Sequence, residues 1–437
     1  MGGIIVLADT HFGIRKGSIS MPGYCADFLH HLNTTDHEEI PAYDGKIMKK
    51  VIDSPEKVIF LGDIIELWDS ADEAVSFCMS SLLPELSQMN AEFIYVLGNH
   101  DNILERARLS TPKEYYPLGK KNVYLFENCY PDEGVISAGD QKYVFVHGHQ
   151  FDTCFRLTGK SYKILSHLRT VSNSLTCYIP FLFTISLICK LFNVILKKSI
   201  VLGDTRIFYL LFFLTLPWIY MSAGRRVWSF LSGVKYKKQQ TIKNFSSWWQ
   251  KFTRNHELPD DINVVYGHTH YLNLLFQKEK LQKYGEIRQY FDISVRGRAG
   301  SRGESFLDFY DRTLEKAKVT QKPTLVNVSA WIKDTSEKEE SEKYKSVMVA
   351  SFLYIDEKGF EFFGWDWYEK KIFHIPKIAI IQRREQTYVD ERIAQALREI
   401  GWPETLVEKW EQPFVLSWSF KKRVGSIVKR YLLSRFS

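Results

Sequence analysis

Five apolar runs in this chain each break off into a polar cluster, and that repetition constrains the fold more than any other feature. "GIIVLADTH" (Gly3 to His11) comes first, then "KVIFLGDIIELW" (Lys57 to Trp68) and "FIYVLGNHD" (Phe93 to Asp101). "YVFVHGHQFD" (Tyr143 to Asp152) and "INVVYGHTH" (Ile262 to His270) follow. Continuous Val/Ile/Phe/Tyr runs bounded by glycine predict strands buried on both faces. Segments of helical spacing lie between them, Ala71 to Met89 among others. Strands alternating with helices predict an α/β domain with covered sheets. "PTLVNVSAW" reads as one more strand, and "SVMVASFLYI" with "GFEFFGWDWY" as a hairpin across "DEKG".

The polar clusters bring Asp9 and His11; Asp63; Asn99, His100 and Asp101; His147 and His149; and His268 and His270 to the ends of these strands. Six of the 12 histidines therefore sit in four short motifs. A surface turn has uses for Asn or Asp but no need of an imidazole between them. In open α/β sheets the carboxyl ends of strands line the binding crevice, so these side chains can converge. Asp9/His11 and His268/His270 are i, i+2 pairs, which on a strand point the same way. Two carboxylates, an Asn oxygen and several imidazoles, with no cysteine, suit Mn²⁺, Fe²⁺ or Zn²⁺. The set is about enough for two such ions. Each motif alone is weak, since Gly-Asp after a strand is ordinary turn chemistry, but five in one order after five strands are not.

Length and composition set outer bounds. A chain of 437 residues can build a large core and more than one structural unit. Its apolar fraction of 45% and charged fraction of 25% are those of a globular protein. The net charge of +7 is a weak argument for an anionic partner. The six cysteines form no C-x-x-C pair, which argues for a reducing compartment and against a zinc ribbon. "MGGIIVLADTHFG" has neither a basic n-region nor the Ser or Thr of a myristoylation pattern, predicting a cytoplasmic catalytic part.

D-x-H, G-D, G-N-H-D, H and G-H-x-H in this order resemble the calcineurin-like metallophosphoesterase family. The motifs span residues 4 to 270, and "VNVSAW" resembles the strand that closes that fold. The resemblance implies a four-layer αββα sandwich. It implies that Asp9, His11 and His270 hold a first metal, that Asn99, His147 and His268 hold a second, and that Asp63 bridges the two. His100 would sit beside the substrate, stabilising phosphate or protonating the leaving oxygen, and Asp101 would hydrogen-bond its ring. The implied chemistry is a two-metal, in-line displacement by a bridging hydroxide, with Mn²⁺ the first choice of ion and Fe²⁺ or Zn²⁺ next. Limiting the carboxylates to two would leave the centre cationic enough to attract a phosphate dianion. His149 matches no ligand position; it either contacts substrate or is a structural histidine.

The chain divides on this reading into four parts. The metallophosphoesterase domain begins over 1–150 and resumes over 257–376, with a polar insert near 277–321. An apolar, aromatic, helical insert occupies 151–256, and a basic helical extension occupies 377–437. "GDIIELW" and "NVSAW" look similar to the UDP-2,3-diacylglucosamine hydrolase branch, which carries a lid in the same interval. "GNHD" departs from that branch, which has Arg after Asn, and this insert is much larger.

Within it, Leu175 to Leu196 is about long enough to cross a bilayer and Ile207 to Met221 is somewhat short. Basic residues flank both ends without bias to one side, which favours a shallow hairpin in one leaflet over a spanning pair or a buried lid core. The expected enzyme is a phosphohydrolase acting on a phosphorylated or pyrophosphate-linked lipid at the inner face of the membrane. The alternatives are a nuclease or nucleotide phosphodiesterase, disfavoured because the insert is apolar where a basic groove is wanted, and a non-catalytic scaffold. Arg296, Arg298 and Arg302, in "RGRAGSRGES", read as a basic loop.

Overall fold

The computed structural model describes residues 2–13, 18–20, 22–44, 46–67, 72–102, 104, 115–118, 121–151, 187, 238–255, 258, 261–269, 272–277, 306–319, 321–328, 331–334, 350–366, 369–384, 391–402, 404 and 407. Two compact units emerge: Met1–His149 with Trp249–Ser437, and Gln150–Trp248.

The five predicted strands form Gly3–Leu7, Pro55–Leu61, Glu92–Val96, Gln141–Val146 and Ile262–Tyr266. They belong to two sheets. In the larger unit, an eight-stranded sheet runs in the order Lys371–Ile375, Gly359–Asp366, Ser351–Asp356, Gly3–Leu7, Pro55–Leu61, Glu92–Val96, Lys121–Phe126, Tyr115–Leu118. Its middle is parallel, with Val6 opposite Ile59 and Ile59 opposite Ile94. The second sheet runs Ile136–Ala138, Gln141–Val146, Ile262–Tyr266, Thr324–Asn327, Asn273–Leu275, and is parallel across its three central strands.

Alternation along each strand divides the first sheet's side chains between two faces. Ile5, Leu7, Val58, Phe60, Phe93 and Tyr95 share one core with Cys25, Phe28 and Leu29 of the helix Pro22–Thr34 and Leu82 and Leu86 of the helix Asp72–Gln88. Their neighbours Ile4, Val6, Ile59 and Ile94 are equally buried on the opposite face. The two sheets meet closely at both ends. A Cβ on Gly62 would lie 2.4 Å from the His147 ring, and one on Gly139 would lie 2.1 Å from Glu357 O. The helix Phe306–Lys316 and the last turns of the helix Lys238–Asn255 reach the loop before Thr324: Tyr310 Oη donates to Pro323 O (2.6 Å) and Trp249 Nε1 to Gln321 O (2.6 Å). The α/β class expected from the sequence is the one observed, with parallel and antiparallel pairing in both sheets.

The late hairpin closes as expected, Asp356 facing Gly359 across a two-residue turn. A second hairpin, His37–Tyr43 with Ile47–Asp53, was not foreseen. The smaller unit is described around Phe151, whose carbonyl accepts from Asn244 Nδ2 (2.8 Å) and whose ring packs 5.2 Å from those of Phe245 and Trp248. The segments 175–196 and 207–221 lie outside the described residues apart from Leu187, as do 278–305 and the end beyond 407. No described helix is long and apolar enough to cross a membrane.

Candidate metal centre

The first sheet delivers Asp9, His11, Asp63, Asn99, His100 and Asp101, and the second delivers His147, His149 and His268, all within five residues of a strand's carboxyl end. His270 lies outside the described residues. The pleat does not aim the i, i+2 pair as anticipated. Asp9 and His11 follow the strand in left-handed backbone, at φ 52° and 45°, as do Asp63 at 52° and His268 at 67°. Non-glycine residues rarely adopt this region, and such strain gathers where a site over-determines the backbone. Tight turns, not strand alternation, converge these side chains.

Hydrogen bonds fix which nitrogen each ring presents. His147 is fully buried, and its Nδ1 lies 2.8 Å from Leu61 O, which can only accept. Nδ1 therefore carries the hydrogen, and Nε2 is the atom that faces the centre. That Nε2 stands 3.2 Å from Asp63 Oδ2 and 3.2 Å from Asn99 Oδ1. In the same way His11 commits Nδ1 to Glu66 Oε2 (3.0 Å), and its Nε2 lies 3.8 Å from Asp63 Oδ2 and 3.9 Å from Asp9 Oδ1. Asp63 Oδ2 thus stands between two imidazoles, while its Oδ1 accepts from His100 N (2.7 Å). Asp9 Oδ2 accepts from His268 N (2.7 Å). The Asn99 Nδ2 is buried without a hydrogen-bond partner among the described residues, so the amide is placed for its oxygen.

Electrostatics reflect the crowding. Burial would raise the Asp63 carboxyl, but His147, His100 and His11 outweigh it and hold it well below the ordinary range. Burial opposes protonation of His147, yet Asp63 and Asp9 push its pKa up to about 10. Burial, reinforced by Asp63, raises Asp101 to about 7.

One expectation needs correction. Asp101 does not orient His100: its Oδ1 accepts from Gly98 N (2.7 Å), and its Oδ2 accepts from Ile64 N (2.9 Å) and Tyr95 Oη (2.6 Å). It braces the turn that carries Asn99 and His100. The partner of His100 is Glu66, whose Oε2 lies 2.7 Å from His100 Nδ1 and also binds His11. Sequence reasoning passed over Glu66, a third carboxylate that stands outside the two sets sharing Asp63. The signal was there: an acid three residues after Asp63, inside the apolar "DIIEL". Its carboxyl sits far below the usual range, because the rings of His100 and His11 outweigh its burial. His149 closes the cluster, its ring centroid 5.4 Å from that of His147 and 6.5 Å from that of His268.

Three sets of donor atoms, each mutually within 4.8 Å, could hold a cation: Asp9, His11 and Asp63; Asp63, His147 and His268; and His11, Glu66 and His100. The first two share Asp63. With oxygen and imidazole donors, no thiolate, and Nε2 atoms turned inward by outer hydrogen bonds, they fit two divalent metal ions. The third is the support of His100, since its His11 and His100 atoms are already held by one carboxylate. A search of curated proteins finds no match to the chain. Residues 3–176 match the family model described as calcineurin-like phosphoesterase. The matched segment, which holds Asp9, His11, Asp63, Asn99 and His147, is thus similar to the calcineurin-like phosphoesterases, a family whose members are metal-dependent phosphoester hydrolases.

Proposed function

We propose that this chain hydrolyses a phosphoester or pyrophosphate bond in a lipid-linked or nucleotide-lipid substrate, with Mn²⁺ in its centre, at the inner face of a membrane. One observation carries the hydrolytic part: His147 and His11 both spend Nδ1 on fixed acceptors and turn Nε2 toward the same oxygen of Asp63. The lipid part is supported by sequence, because an apolar, aromatic stretch interrupts the domain between His147 and the G-H-x-H motif.

Asp9, His11, Asp63, Asn99, His147 and His268 would hold divalent cations, which when bound would supply Lewis-acid polarisation of the phosphoryl group and a lowered pKa for water. The residues around them do the rest. His100 is the most exposed member of its cluster, with 24% of its side chain accessible, and can reach a bound phosphate. Burial opposes its charge, but Asp63 and Glu66 raise its pKa, which favours the protonated ring that a general acid needs. Glu66 keeps the proton on Nδ1 and fixes the ring. Asp101, itself bonded by Tyr95, braces the Gly98–Asp101 turn that carries Asn99 and His100. His149 stands where it can contact the substrate beside His147 and His268.

Purified protein would be incubated with Mn²⁺ and a panel of nucleotide-linked lipids, lipid phosphates and single-stranded DNA, reading released phosphate or nucleotide. Turnover of a lipid-linked substrate is the expected result. Activity confined to DNA replaces the lipid reading with a nuclease, and binding without turnover replaces it with a scaffold.

A further inference from the structure

The turn that presents His268 is held from outside the metal-ligand set. Thr269 N donates to Gly267 O (2.8 Å), an i to i+2 bond, with His268 at φ 67° between them. That is the positive-φ form of the γ-turn, which is rare and strained. A strained turn persists only where its surroundings over-determine it. Here Gly267 N donates to His147 O (2.9 Å), and Asn327 Nδ2 donates to Gly267 O (3.0 Å).

Asn327 closes the strand Thr324–Asn327 and is fully buried. Its Oδ1 has no hydrogen-bond partner among the described residues. Burying an amide to use only its donor is unfavourable for stability alone, which points to a role for that donor. Gly267 C=O and His268 N–H belong to one planar peptide unit, so they point in opposite directions. The N–H of that unit grips Asp9 Oδ2 at 2.7 Å. One side chain therefore sets a peptide that aims two candidate ligands from different sheets, the His268 ring through its backbone and the Asp9 carboxylate through its N–H. Donation to the carbonyl also polarises the peptide and strengthens the bond to Asp9.

We infer that Asn327 is a positioning residue of the metal centre, holding the strained Gly267–His268 peptide so that His268 and Asp9 address the cations. The inference rests on the reading of the centre as a metal site.

The test compares wild type with Asn327→Leu, which removes the amide at similar volume, and Asn327→Asp, which replaces the donor by an acceptor. Mn²⁺ affinity is read by calorimetry, turnover of an aryl phosphodiester is resolved into kcat and KM, and amide exchange of the 262–269 segment is followed without metal. Both variants should lose about ten- to a hundredfold in kcat and in Mn²⁺ affinity at unchanged KM. Exchange in the segment should rise about tenfold while the rest of the sheet stays protected. Wild-type affinity, kcat and exchange in either variant would overturn the inference. So would a lower melting temperature with unchanged kcat per bound metal, because that is a merely structural role. An inert, metal-free wild type would instead sink the reading of the site.

Discussion

Replacing Gly62 by alanine probes the candidate centre without touching a ligand. Gly62 sits at φ 76°, where a Cβ costs about 1–2 kcal/mol. That Cβ would also lie 2.4 Å from Nδ1 and 2.5 Å from Cγ of His147, and 2.8 Å from the Gly98 Cα. Ordinary contact needs about 3.5 Å, so the ring must retreat by about 1 Å. Its bond to Leu61 O then breaks, at a further cost of about 1 kcal/mol. The sum is about 2–3 kcal/mol of stability. A shift of about 1 Å at a ligand should lower turnover by about a hundredfold. Gly134 is the control: it has the same φ of 76°, but an added Cβ there meets nothing within 4 Å. Gly134→Ala should cost only the backbone term and leave turnover intact. Both variants would be assayed for melting temperature, Mn²⁺ affinity and hydrolysis of an aryl phosphodiester. Gly62→Ala protein with wild-type Mn²⁺ affinity and kcat would refute the placement of His147 in the metal centre.

Three further outcomes follow from the same coordinates. Asp63→Ala should lower bound metal and reduce hydrolysis to background, since both donor sets include Asp63; elemental analysis and turnover would check it. Glu66→Gln should lower kcat by about a hundredfold or more with little change in KM, and the loss should be smaller for aryl substrates whose leaving group needs no proton. Stability should fall on acidification in two stages. Burial, countered in part by Glu361, lowers the pKa of His374 from 6.5, so below about 6.5 the unfolded chain takes up a proton that the folded one resists. Burial opposes the charge of Glu361, but Lys377 and His374 hold it well below 4.5, so a second contribution, present above about 4.3, is lost as pH drops toward its folded value. Glu361→Gln should remove that second stage and cost about 2 kcal/mol, less than a fully buried pair because Lys50 and Lys377 remain about a fifth exposed. Denaturant midpoints from about pH 2 to 8 would show an unchanged acid limb if this is wrong.

The parts of the fold written most plainly in the sequence are the strands covered on both sides, because burial there forces unbroken apolar runs such as "IIVL" and "VIFL". The hairpin His37–Tyr43 with Ile47–Asp53 stayed hidden because both strands are half polar, with Pro41 interrupting one. Its anchorage is long-range: Asp53 N donates to Tyr354 Oη, and Lys50 reaches Glu361. Among the site residues, Asp9, His11, Asp63, Asn99, His147 and His268 were legible as types at strand ends. The left-handed backbone of Asp9, His11, Asp63 and His268 was not, since Asp and His carry no local mark of positive φ. Glu66 escaped because a single acid among Ile and Leu looks like one exposed position of a half-buried strand. Asp101 was recognised but given the wrong partner, because sequence adjacency to His100 says nothing of which acceptor the ring will find.

The ligand set is split between two sheets that the chain writes far apart, from Asp9 to His268, with the long insert in the interval. During synthesis at about 5–20 residues per second, the early half of the pocket must wait many seconds for its later imidazoles. Until then the set of Asp63, His147 and His268 lacks both of its imidazoles. Cation capture by that second set should therefore be a late event in biogenesis, one that rivets strands of two sheets together.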